Sequence, residues 1–161
     1  MLFGDEHVRL YEQTGGRIGH DWEAGAPVLI LSTTGRKSGQ ERKTPVIYHR
    51  DEAGDYLLVA SKGGAPAHPH WYLNLVANPL VTVQVKDQKF RARARTATQE
   101  EKASWWPQLT KVWPRYDLYL AKTSRSIPVV VLTPVESDSR TAVASVRQTG
   151  VALTSSPPRR Q

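Results

Sequence analysis

Residues 27–34, PVLILSTT, are almost wholly apolar and bounded by Pro27 and Gly35. So short an apolar run between two breakers reads as a β-strand buried on both faces. The last such run is IPVVVLT at 127–133, just before Pro134. Between them, residues 43–49 read as a second strand, and the polar, Gly-containing stretch 51–55 as a hairpin into a third at 56–61, so that strand two is expected to pair with strand three. Val81, Val83 and Val85 alternate with Thr82, Gln84 and Lys86, and Phe90, Ala92 and Ala94 alternate with Arg91, Arg93 and Arg95. These are half-buried strands, joined by a tight turn at Asp87-Gln88, with the arginine row facing water or a partner.

Helices are expected between the strands. Residues 3–14 have mixed charge and end at Gly15-Gly16, which favours a short helix packing as an arm. Pro69 starts a helix through Trp71, Leu73 and Val76 that Asn78-Pro79 ends. Thr98-Gln99-Glu100-Glu101 is a capping box, and Pro107 and Pro114 are expected to break residues 100–122 into two or three short helices. The pattern is a mainly β (α+β) chain of about six antiparallel strands, a small barrel crossed by short helices. It divides into an N-terminal helical arm (1–22), a barrel domain (23–135) and a tail (136–161) rich in Ser, Thr, Ala and Arg without aromatics, expected to be disordered and dispensable.

A chain of 161 residues fits one domain, too small for separate cofactor and substrate domains. A cleft must lie on one sheet or between two copies. The net charge of +7 suggests an anionic partner. The absence of Cys removes disulfides, thiolate catalysis, zinc fingers and iron–sulfur clusters together. No apolar run approaches the roughly 20 residues of a membrane-spanning helix, and the acidic start argues against a signal peptide, so a soluble cytoplasmic protein is expected.

The loop between the first two strands carries the clearest chemistry. In GRKSGQERKTP (35–45), Arg36, Lys37, Arg42 and Lys43 oppose one acid, Glu41. Glycines let backbone N–H groups turn toward an anion, while Arg, Lys and Ser supply a fork, a point charge and a short donor for phosphoryl oxygens. Taken alone, the segment reads equally well as a solvated basic turn. The five histidines, His7, His20, His49, His68 and His70, show no metal spacing, and no metal is assigned. There is no Gly-x-Ser-x-Gly elbow to support hydrolysis.

Taken in order, Thr34-Gly35-Arg36-Lys37-Ser38-Gly39, Arg42-Lys43-Thr44-Pro45, Ala60-Ser61-Lys62-Gly63-Gly64, His70-Trp71-Tyr72-Leu73-Asn74 and Ile127-Pro128 resemble the deazaflavin-dependent nitroreductase family over about residues 7–135. The resemblance implies an FMN-binding-like split β-barrel holding a reduced 8-hydroxy-5-deazaflavin coenzyme (coenzyme F-420). That coenzyme would deliver hydride to a small electron-poor acceptor: a quinone, nitroaromatic or activated enone. It places the phosphate and acidic tail at Arg36, Lys37 and Ser38, continued by Arg42, Lys43, Thr44 and Pro45. The ring would lie along Val59, Ala60, Ser61 and Lys62 and be closed by His70, Trp71, Tyr72, Leu73 and Asn74. Tyr116 and Tyr119 match pocket-lining tyrosines, whereas Trp113 replaces an aromatic often found as Tyr, which narrows the entrance and changes acceptor preference.

Trp113, Tyr116 and Tyr119 lie three apart and share one side of any helix, where they would otherwise simply pack on the barrel. Ser61, Tyr116 and Tyr119 are the candidates to hydrogen-bond the acceptor, with Tyr119 or a water supplying the proton. Alternatives are a split barrel binding flavin mononucleotide or haem, a non-catalytic deazaflavin carrier, and a nucleic-acid module using Arg91, Arg93 and Arg95. The last is disfavoured because alanines, not stacking aromatics, lie between the cations. The N-terminal arm could cap the cleft or touch the inner face of the membrane, the latter weakened by Asp5, Glu6 and Glu12.

Overall fold

The computed structural model describes residues 4–135, so the expectation for the 136–161 tail lies outside the described residues. Seven strands, β1 (Val28–Thr34), β2 (Glu41–Ile47), β3 (His49–Arg50), β4 (Tyr56–Val59), β5 (Leu80–Val85), β6 (Gln88–Thr96) and β7 (Val129–Pro134), form one antiparallel sheet. Their order across it is β2-β1-β5-β6-β7-β4-β3. Strands β2 and β3 thus lie at opposite edges, yet only Tyr48 separates them in the chain. A sheet whose two edges are joined through one residue must curl until those edges approach, and this gives the split barrel.

Strand two does not pair with strand three as expected. It runs beside β1 along its whole length, from Val28 opposite Ile47 to Thr34 opposite Glu41, because the 35–40 loop closes a β1–β2 hairpin. Only the short continuation past Tyr48, His49 opposite Leu57 and Arg50 opposite Tyr56, reaches β4. This break at Tyr48 is also why there are seven strands and not six. The β5–β6 turn falls on Lys86-Asp87, one residue earlier than expected, with Val85 opposite Gln88 and Lys86 left-handed (φ 56°).

The apolar runs are covered on both sides, as their composition requires. Leu29 and Leu31 of β1 join Tyr56, Leu58, Val81, Val83, Ala92, Val130 and Leu132 in one core, while Val28 and Ile30 face Val8 and Tyr11 of α1 (Gly4–Thr14). On another outer face, Leu57, Val59, Val129 and Val131 pack under Leu109, Trp113 and Tyr116. Each fully buried leucine contributes about 1.5–3 kcal/mol relative to exposure.

Helix α2 (His70–Ala77) buries Leu75 in the first core. Helix α3 (Gln99–Val112) starts at the expected capping box: Glu101 N donates to Thr98 Oγ1 (3.1 Å) and Thr98 N to Glu101 Oε1 (2.9 Å). Arg95 donates two further bonds to the same carboxylate (2.7 and 2.9 Å), which holds its pKa down at about 2. One arginine of the β6 row is therefore committed to joining β6 to α3. Pro107 does not break α3, contrary to expectation; Trp105, Trp106 and Leu109 on either side of it pack against the core, and that burial outweighs the missing backbone bond. Pro114 does separate α3 from α4 (Arg115–Lys122).

Candidate active site

The basic loop is shaped by its own backbone. Gly35 N donates to Gln40 O (2.8 Å), Gly39 N to Gly35 O (2.8 Å) and Gln40 N to Ser38 Oγ (3.1 Å). A Cβ at Gly35 would stand 2.7 Å from Ser38 Oγ, so a side chain there would require Ser38 to turn from its bond with Gln40 N. Asn74, 4% exposed, holds the loop from α2. Its Oδ1 accepts from Arg36 N (3.2 Å) and Arg36 Nη1 (2.9 Å), and its Nδ2 donates to Thr33 Oγ1 (3.2 Å). The Arg36 fork is thereby set in place before any ligand arrives, and Lys37 and Arg42 have no carboxylate partner among the described ion pairs.

These groups line a cavity of about 880 Å³. Of the residues expected to bind a cofactor, Arg36, Lys37, Ser38, Arg42, Lys43, Thr44, His70, Trp71 and Asn74 come together here. A second cavity of about 390 Å³ continues from it, sharing Thr44 and Trp71. Its floor is Pro45, Val46 and Ile47 of β2 with Val59 of β4; Ser61, Lys62 and Gly63 form one wall, and Trp113, Tyr116 and Tyr119 another. Ala60, Tyr72 and Leu73 line neither lobe. Ala60 is fully buried, and Tyr72 turns its hydroxyl to Thr96 (2.9 Å) on the far side of α2.

The second lobe is aromatic and mostly apolar. Trp22 stacks on Trp113 (centroids 5.5 Å, 25°), and Trp113 Nε1 donates to Tyr119 Oη (3.2 Å). Burial, with the neighbouring Tyr119, raises the Tyr116 phenol well above its ordinary range, so it stays protonated. The 62–64 turn, which packs against α4, is conformationally unusual. Lys62 (φ 47°), Gly63 (φ 64°) and Gly64 (φ 83°) are all left-handed, and for Lys62 this costs about 1–2 kcal/mol. Gly64 has no room for a side chain: a Cβ would lie 2.9 Å from Tyr119 O of α4.

Of the two expectations for the N-terminal arm, the structure shows the first: α1 covers the cleft and lines both lobes, through residues the sequence did not single out for it. Asp5, Val8, Arg9, Glu12 and Gln13 face the basic lobe, and Gly4 and His7 the aromatic one. Glu12 Oε2 accepts from Lys43 Nζ at 2.6 Å, and this bond raises the Lys43 pKa. The helix is fixed by Tyr11, whose hydroxyl donates to Val28 O (2.9 Å) and accepts from Lys86 N (2.8 Å), and by Gly16, where a Cβ would meet Lys86 Cα at 2.6 Å. The available signal was its stripe of Asp5, Arg9 and Glu12 beside the buried stripe of His7, Val8 and Tyr11.

Comparison with known proteins gives the same outline. The family model described as F420H(2)-dependent quinone reductase matches residues 4–134. An F420H(2)-dependent quinone reductase of Mycobacterium tuberculosis is 43% identical over 136 residues, covering 79% of this chain and 87% of the relative. A second relative from that organism, a putative F420H(2)-dependent quinone reductase, is 33% identical over 118 residues, 73% of this chain and 98% of its own length. Among solved structures, an F420-H2 dependent reductase (FDR-A) superposes with TM-score 0.60 at 43% identity, covering 66% of this chain and 93% of its own. The haem storage protein HutZ of Vibrio cholerae shares the fold alone, with TM-score 0.54 at 14% identity over 84% of this chain and 93% of its own. With nearly every described residue inside the family match, the chain belongs to the F420H(2)-dependent quinone reductase family.

Proposed function

We propose that this protein uses reduced coenzyme F-420 to reduce a small electron-poor acceptor, a quinone in the first place, with a nitroaromatic or activated enone as further candidates. The observation that carries the reading is the joining of a cationic lobe and an aromatic lobe through Thr44 and Trp71. A ligand with an anionic handle and a flat ring fits that pair: the cationic side chains face one end, the amides of Gly35, Arg36 and Gly39 being bonded within the protein, and an aromatic wall faces the other. Arg36, Lys37, Ser38 and Arg42, with Lys43 and Thr44, would hold the anionic tail. Pro45, Val59, Ser61, Lys62 and Trp71 would line the ring.

When bound, the reduced deazaflavin supplies the hydride; what remains for the protein is positioning, exclusion of water and one proton for the acceptor oxygen. Tyr119 is the candidate for that last task. Its oxygen already accepts the Trp113 N–H, which leaves its own hydrogen to donate into the lobe. Tyr116 is kept neutral by burial and can serve as a second donor. Ser61 offers a hydroxyl from the turn that begins the 61–63 wall. The reading sets the reaction in the cytoplasm, where a lipid-soluble quinone would be met at the inner membrane face. No helix among the described residues is long and apolar enough to cross a membrane.

The test is direct. Purified protein is titrated with reduced deazaflavin and, separately, with flavin mononucleotide, and reoxidation is followed with a quinone and with a nitroaromatic. Selective deazaflavin binding with quinone-driven reoxidation is expected. Binding without turnover would make the protein a carrier, and preference for flavin mononucleotide would overturn the reading.

A further inference from the structure

The left-handed run Lys62-Gly63-Gly64 follows Ser61 at the wall of the aromatic lobe. Its internal bonds are few: Gly64 N donates to Ser61 O (2.9 Å) and Ala65 N to Lys62 O (3.1 Å). A turn with a non-glycine residue in this conformation persists only where its surroundings hold it. The hold comes from Arg125, about 60 residues away in the connection between α4 and β7. Its Nε donates to Ala65 O (2.8 Å), and its Nη2 to Ser61 O (2.7 Å) and Ala60 O (3.3 Å). Its Nη1 reaches Ser126 O (3.3 Å) and His68 Nδ1 (3.0 Å). Both ends of the turn are thus held by one planar group, with four carbonyls and an imidazole as partners.

Arg125 has no carboxylate partner among the described ion pairs, so its charge serves these acceptors. Burial, and then the Arg125 charge, lower the His68 pKa, which keeps that ring neutral and able to accept. On the other side of the turn, Gly64 abuts the Tyr119 backbone with no space for a methyl group. The turn is held between Arg125 and α4.

We propose that Arg125 is a positioning residue for the reduction: by clamping Ala60, Ser61 and Ala65 it fixes the Ser61 wall of the aromatic lobe against the Tyr119 wall. This rests on the proposed function for its catalytic meaning, though the clamp itself can be measured without turnover. Arg125 lines neither lobe. It therefore acts through the turn, and only a planar fork can span these carbonyls together; lysine offers a point charge in its place.

The experiment compares wild type, Arg125→Lys and Arg125→Ala as full chains. In both variants amide exchange at Gly64 and Ala65 is expected to quicken about tenfold while amides of β4 keep wild-type protection. Coenzyme Kd should stay within about threefold and kcat/KM for a benzoquinone fall about 10–100-fold, since misplacement of this order impairs catalysis without touching the binding charges. Millimolar guanidinium should restore several-fold activity to Arg125→Ala. Should Arg125→Ala fold poorly, Arg125→Lys carries the same expectations apart from the rescue. Unchanged exchange at Gly64 and Ala65 would overturn the clamp. Faster exchange throughout the barrel with equal losses in coenzyme affinity and kcat/KM would reduce Arg125 to a stability residue and overturn its positioning role. If wild type itself fails to reoxidise the coenzyme, the functional reading falls, while the exchange experiment still decides whether the clamp exists.

Discussion

The two lobes of the site are built by opposite means. The basic lobe is assembled from a hairpin loop and the start of α2, and its order comes from hydrogen bonds: Asn74 to Arg36 and Thr33, and the loop to itself. The aromatic lobe is assembled from β2, β4, the 61–63 turn, Trp22, Trp113 and α4, and apart from the Arg125 bonds to that turn its order comes mainly from packing: Trp22 on Trp113, Tyr116 in the core, Gly64 against α4. A hydrogen-bonded cationic lobe can bind a charged handle near water, where salt screens it. A packed aromatic lobe offers a flat apolar surface to a reacting ring. Binding and chemistry should therefore respond to different substitutions.

The largest separation is expected from Arg36→Ala, which removes a preset fork and should weaken coenzyme binding about 10–100-fold, as for a lost charge-assisted hydrogen bond. Turnover at saturating coenzyme should change little; titration and steady-state kinetics on the same sample check both. Tyr119→Phe is the counterpart, with kcat falling about tenfold and coenzyme Kd near wild type. If each of these two variants lost binding and turnover equally, the division between lobes would be broken. Trp113→Tyr sharpens it: by opening the entrance it should shift the kcat/KM ratio between a bulky and a small quinone by about 10-fold or less, in favour of the bulky one.

Smaller effects test the edges of the comparison. Glu12→Gln releases Lys43 into the basic lobe and should tighten coenzyme binding about two- to threefold at low salt, a gain that fades as ionic strength rises. Glu101 lies outside both lobes, and its depressed carboxyl pKa sets a pH window. Its contribution is fully present above the ordinary carboxylate range near 4.5 and is lost as pH falls through about 2. Acid unfolding of Glu101→Gln should therefore be less steep than wild type across that window, with both proteins alike in pH dependence near neutrality.

What could be read from the chain follows the same division. The basic lobe is local: the residues of GRKSGQERKTP that bind together are neighbours in sequence, so charge and glycine spacing revealed them. The double-sided strands were equally plain, because apolar runs such as PVLILSTT have no polar face to misplace. That the N-terminal arm could cover the cleft was legible as an option, but the contact that fixes it there was not: Tyr11 reaches Lys86, a partner 75 residues away that no local pattern announces. The same holds for Trp22 on Trp113. The pairing of strand two failed for a related reason: the Asp51–Asp55 turn makes the expected hairpin, but only His49 and Arg50 pair with β4 through it, while the body of the strand lies in the longer β1–β2 ladder. Pro107 shows packing overriding a local rule, with three core-facing side chains holding a helix through a residue that disfavours it.

Tyr48 links the two margins of the sheet with a single residue. Its ring meets Tyr56 edge-on, and its hydroxyl bonds His20 Nε2 at 2.9 Å. An added residue there would slide one margin past the other and turn β3 inside out relative to β4, because side chains alternate faces along a strand. The 51–55 loop, by contrast, joins β3 and β4 outside the ladder and can lengthen without altering any register. Variation of this scaffold should accordingly gather at that hairpin tip, and the seam should tolerate exchange of its side chain but not a change in its length.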